Sequence, residues 1–87
     1  MKTKGILPST VNGRTVKNLG WLLRHWKEVK SFTIEPHPPS DTIAECVLVA
    51  TLKNGAGEYR TGFACKDILR DWLNRPVFRG LPQTWNI

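Results

Sequence analysis

The chain has 87 residues, 40% of them hydrophobic and 23% charged, with a formal net charge of +6. That length supports one modest core rather than two, so a single domain over residues 1–87 is expected. No run approaches the roughly 18 unbroken apolar residues of a membrane span, and the opening M-K-T-K-G-I-L-P-S-T lacks the apolar centre of a secretion signal, so the expectation is a cytoplasmic protein with no membrane partner.

The charge is unevenly placed. Residues 1–30 hold Lys2, Lys4, Arg14, Lys17, Arg24, Lys27 and Lys30 against Glu28 alone, whereas residues 31–65 are net acidic. A concentrated basic stretch attracts nucleic acid, acidic protein or anionic lipid. The plainer alternative is a solvated face that keeps the chain soluble.

Residues 1–12 read as a basic arm, since Pro8, Ser9, Asn12 and Gly13 are loop formers. A helix is predicted over about 14–29, with Asn12 and Thr15 as cap candidates. At 100° per residue, Val16, Leu19, Leu22, Leu23, Trp26 and Val29 form an apolar stripe aimed at a core. Arg14, Lys17, Trp21, Arg24, His25 and Glu28 fall on the other side. Trp21 is a large aromatic in the middle of a basic face. Gly20 lies inside the helix with no packing reason evident in the sequence.

Phe32 and Ile34 alternate with polar residues in K-S-F-T-I-E-P, the period of a half-buried strand, and Pro36 ends it because it has no N–H for the ladder. Residues 42–53 form the longest strand candidate, N-G-A-G is a turn signal, and E-Y-R-T-G-F-A-C returns. Pairing Lys53 with Glu58 sets Leu52 opposite Tyr59, Leu48 opposite Phe63 and Cys46 opposite Cys65. One face then collects Leu52, Tyr59, Ala50, Leu48 and Phe63. The other collects Val47, Val49, Gly62 and Ala64, an apolar patch that the tail or a second copy of the chain would cover. The opposed Cys46 and Cys65 are within disulfide reach, against the simpler reading of two reduced thiols packed as small hydrophobes.

Ile68, Leu69, Trp72 and Leu73 recur at helical spacing, giving a second helix over 66–74 that Pro76 closes through Arg75. The tail, 75–87, carries Val77, Phe78, Leu81, Trp85 and Ile87 and is expected to dock. The predicted fold is therefore α+β in the order α-β-β-β-α. It is a three-stranded antiparallel meander over 31–64 with two helices on one face and a docked tail.

Catalysis is not supported by this inventory. His25 and His37 are isolated, and no G-x-S-x-G, H-E-x-x-H or phosphate-loop motif occurs. With two cysteines and no C-x-x-C, no metal or other cofactor is expected. The leading expectation is a non-enzymatic binder of nucleic acid. Arg14, Lys17 and Arg24 would pair with phosphates while Trp21 stacks a base beside His25. The competing reading packs Trp21 beneath the arm or tail. The alternative function is protein recognition, either of an acidic partner on the same face or through a homodimer built on Val47 and Val49. The protein would thus be a monomer or a homodimer.

The element order resembles the double-stranded-RNA-binding domain over about residues 14–74, which implies RNA contact at the start of the second helix. Where that family carries a lysine cluster, this chain has C-K-D-I-L-R, and E-P-H-P-P-S-D replaces the family's G-P-x-H connector. The segments K-N-L-G-W-L-L-R-H and L-R-D-W-L-N-R-P-V-F-R-G-L-P-Q-T-W are similar to short phage or prophage proteins. That resemblance implies a small binder, including an inhibitor of a host protein.

Overall fold

Residues 9–16, 18–37 and 45–87 are described by the computed structural model, and among them six strands form one sheet flanked by two helices. The chain begins with β1 (Thr10–Val11) and β2 (Arg14–Thr15), followed by α1 (Asn18–Arg24) and a 3-10 turn (Trp26–Glu28). Then come β3 (Val29–Pro36), β4 (Cys46–Leu52), β5 (Glu58–Phe63), α2 (Lys66–Leu73) and β6 (Gln83–Trp85). The strand order is β2-β1-β5-β4-β3-β6. The expected three-stranded meander under two helices is therefore corrected. Strands β3, β4 and β5 are only the middle of the sheet, which gains a hairpin at one edge and a parallel strand at the other.

The added hairpin comes from Asn12 and Gly13. Both take positive φ, 52° and 87°, as the two central residues of a tight hairpin turn whose twist matches its strands. Thr10 then pairs with Thr15 and Val11 with Arg14, while β1 also pairs with β5. Residues 10–11 are thus strand rather than arm, and residues 14–15 are strand rather than helix. At the other edge β6 runs parallel to β3, with Phe32 opposite Gln83 and Ile34 opposite Trp85.

The helix predicted over 14–29 is shortened at both ends. After Arg24 the N–H of His25 is shared between the carbonyls of Trp21 and Leu22, at 3.0 and 3.2 Å. The chain then tightens into the 3-10 turn. Val29 opens β3 because V-K-S-F-T-I is rich in β-branched and aromatic residues and has a partner strand in β4. A shift in the ladder between Val29 and Ser31 lets Val29 and Phe32 both face the core. One extra residue resets the alternation of a strand in this way.

The β4–β5 register is Cys46–Phe63, Val47–Gly62, Leu48–Thr61, Val49–Arg60, Ala50–Tyr59 and Thr51–Glu58. This is two residues away from the expected pairing. The connection is longer than expected, with Asn54, Gly55 and Gly57 all at positive φ and Leu52 N–H donating to the Gly57 carbonyl. A slip of two leaves every side chain on its expected face, because the pleat repeats every two residues. It does separate the cysteines. Cys46 is buried opposite Phe63, Cys65 precedes α2, and both are free thiols.

One face of the sheet carries the core. Phe32, Ile34, Cys46, Leu48, Ala50, Leu52, Tyr59 and Phe63 cluster with Leu22 of α1, with Leu69, Trp72 and Leu73 of α2, and with Phe78. Aromatic contacts tie the tail into this layer. Phe78 meets Phe32 edge-on at 5.3 Å and Trp72 at 4.7 Å between ring centroids. The tail therefore docks on the core side and does not cover the opposite face. There, Arg60 of β5 reaches Glu35 of β3 at 3.8 Å and Glu58 at 3.0 Å. Its stem must cross β4 to do so, over Val47 and Val49.

Candidate polyanion-binding surface

The site begins where α1 ends. A seven-residue helix leaves Leu23 and Arg24 on its outer side, and the 3-10 turn carries Trp26, Lys27 and Glu28 onward before Lys30 enters β3. Leu23 and Trp26 are each 37% exposed, large values for side chains expected in the core. Lys27 places its ammonium 5.7 Å from the Trp26 ring centroid, within cation–π range. Arg24, Lys27 and Lys30 are exposed and form no ion pair among the described residues. The neighbouring acid, Glu28, accepts a 2.6 Å hydrogen bond from His25 Nδ1, which occupies it locally. The segment thus carries three cations outside any ion pair among the described residues, one of them, Lys27, against an accessible indole.

The residues expected to form the site are distributed differently. Trp21 lies between two rings, stacked on His25 at 4.3 Å and on Tyr59 at 5.5 Å with nearly parallel planes. Its indole is partly buried and already engaged by two rings, which leaves less of it for a base than the sequence reading expects. His25 is half-buried as the outer layer of that stack. Arg24 stays outside, with its guanidinium near Gly20 on its own helix. Arg14 stands exposed on the edge strand β2 and not on the helix. Lys17 lies outside the described residues. The structure therefore brings Trp21, His25 and Arg24 onto one short helix and its end, separates Arg14 from them, and exchanges the two tryptophans. Trp26 is the outward ring.

Trp26, Lys27 and Lys30 were missed as site residues for one reason. A 16-residue helical wheel assigns Trp26 to the apolar stripe, but the helix stops at Arg24. Past that point the 100° step no longer tells which way a side chain points. The usable signal was the β-branched run starting at Val29, which limits how far a helix can extend.

Val47 and Val49, expected as a self-association patch, are 8% and 4% exposed. They are buried side chains rather than an exposed patch.

Behind α1, Tyr59 O–H donates to Ser9 Oγ, and Ser9 Oγ–H donates to Thr61 Oγ1, both at 2.9 Å. This closed chain fixes the strand under Trp21. Burial pushes the Tyr59 hydroxyl above its ordinary pKa, opposed by its hydrogen bonds to Ser9 and Thr61. Burial likewise raises the Cys46 thiol, aided by the negative charge of Glu45. Among the described residues no three His, Cys, Asp or Glu side chains gather where they would hold a metal ion. Nor is any described helix long and apolar enough to cross a membrane. Comparison of the chain with protein-family models, with characterised proteins and with solved structures finds no match, so a functional reading rests on this geometry.

Proposed function

We infer that the protein is a non-enzymatic binder of nucleic acid, engaging single-stranded stretches through the end of α1 and the turn that follows it. The observation that carries this reading is the accessible Trp26 ring with the Lys27 ammonium beside it, on a segment that also carries Arg24 and Lys30, none of the three in an ion pair among the described residues. Every base has a π face, so an exposed indole takes any sequence. The three cations meet phosphates, which orient the strand without reading it.

Anisotropy of a labelled random-sequence oligonucleotide tests this. Affinity should fall with salt along a slope of about −2, the value for roughly three phosphates on a single strand. Trp26→Ala should weaken binding about tenfold, the loss of one base–aromatic stack, and Lys27→Glu should weaken it further at low salt. Absence of binding at low salt, or a Trp26→Ala variant that binds as well as the parent, defeats the reading.

Leu23 beside Trp26, equally exposed, favours a second reading. An acidic protein partner would use the same cations and bury both apolar side chains. That reading predicts a partner retained through Leu23 and insensitive to nuclease.

A further inference from the structure

The turn that joins α2 to β6 lines an open hollow of about 400 Å³. Asn74, Arg75, Phe78, Arg79, Leu81 and Gln83 contribute to its wall, and no carboxylate does. The wall is built rather than incidental. Phe78 is buried and anchors the turn in the core. Phe78 N–H donates to the Arg75 carbonyl, Arg79 N–H to that of Pro76 and Leu81 N–H to that of Phe78, at 3.0, 3.1 and 3.2 Å. Gly80 turns the chain at φ 91°.

Two cations line this hollow. The Arg75 guanidinium lies 5.9 Å from the Trp72 ring centroid, a cation–π contact that steadies its position and consumes none of its N–H donors. Arg79 is exposed, and neither arginine forms an ion pair among the described residues. Gln83 Oε1 accepts from Trp85 Nε1–H at 3.2 Å. That occupies the amide oxygen and leaves the amide nitrogen as a donor. The polar side chains therefore offer mainly donors, and two of them are charged. A lone oxyanion would not fill the space, since ligand pockets for organic molecules begin at roughly 300 Å³.

We propose that this hollow binds a small phosphorylated organic molecule of about mononucleotide size, its phosphate held between Arg75 and Arg79. Paired guanidiniums match the geometry and charge of a phosphate dianion. The Asn74 and Gln83 amides face the acceptors of the organic part, and Leu81 supplies an apolar wall. This site shares no residue with the Trp26 surface and stands or falls separately from it.

The test is a titration of the full chain, with backbone amide resonances read by NMR. The probes are adenosine monophosphate, adenosine and inorganic phosphate. The monophosphate should shift the amides of residues 74–83, inorganic phosphate should compete with it, and adenosine should bind at least about tenfold more weakly, having lost the charge-assisted bonds. Arg79→Gln and Arg75→Gln should each weaken the monophosphate by about tenfold without changing the fold, checked by circular dichroism. Trp26→Ala should leave this titration unchanged. Adenosine binding as tightly as its monophosphate, shifts that avoid residues 74–83, or an Arg79→Gln variant with parental affinity would each overturn the proposal. So would its abolition by Trp26→Ala, which would place the nucleotide on the other surface.

Discussion

A methyl group added at Gly57 would sit 1.8 Å from Asn12 Oδ1. That oxygen is not free to move away. It accepts from Glu58 N–H at 2.9 Å while Asn12 Nδ2 donates to the Ala56 carbonyl at 2.9 Å and Asn12 N–H donates to the Glu58 carbonyl at 3.0 Å. Gly57 also holds φ at 106°, where a side chain is strained. Gly57→Ala should therefore lower stability by about 2–4 kcal/mol, the sum of backbone strain and a disrupted clamp. Gly20 is the contrasting position. It lies within α1, and among the described residues a methyl there would come no closer than 3.9 Å to its nearest neighbour, Arg24 Nη1. Nothing requires glycine there, and Gly20→Ala should raise stability by about 0.5–1 kcal/mol through helix propensity and a less flexible unfolded chain. Urea midpoints for the two variants check both signs. A loss at Gly20 would mean that α1 is not the helix described, and an unchanged midpoint at Gly57 would mean that Asn12 is not clamped.

At the scale of elements, what could be read from the sequence was what local periodicity controls. Phe32 and Ile34 marked β3. Leu69, Trp72 and Leu73 marked α2 and are its buried side chains. The alternation along β4 and β5 assigned faces, and those assignments survive the two-residue shift in register. What failed was what distant partners decide. Asn12 and Gly13 read only as loop formers, because the strands they join are two residues each and do not hold alone. They exist because β5 lends Thr10 and Val11 an edge. The three residues of β6 likewise become a strand only against Phe32–Ile34. Elements this short have no period of their own, so a window over the sequence reads them as arm and tail. The candidate site shows the same division. The concentration of positive charge before Val29 was visible, but which tryptophan faces outward was not. That outcome depends on Tyr59, 38 positions downstream of Trp21, providing a ring for Trp21 to stack on. A helix that ends early then turns Trp26 out.

For the molecule as a whole, the buried acids set an upper limit in pH. Tyr59 is the chain's one tyrosine, its pKa raised from 10.0 chiefly by burial. Cys46 is raised from 9.0, again chiefly by burial. In each case the folded state holds its proton more tightly than the unfolded state does. Their contribution to stability is thus complete below the ordinary values and is lost as pH rises through the raised ones. The protein should keep its stability across neutral pH with respect to these groups and weaken above pH 9.0, first through Cys46 and then through Tyr59. Tyr59→Phe isolates the second part. Below pH 10.0 the parent should be more stable than the variant by about 1 kcal/mol, the net worth of the hydroxyl's hydrogen bonding, and above it that advantage should shrink. Because no other tyrosine is present, tyrosinate absorbance follows Tyr59 alone, and its midpoint in the folded protein should lie above the midpoint measured in urea. Coincident midpoints, with a stability difference that does not change with pH, would show that the ring under Trp21 is open to water. The stack that leaves Trp26 as the outward indole would then lose its base.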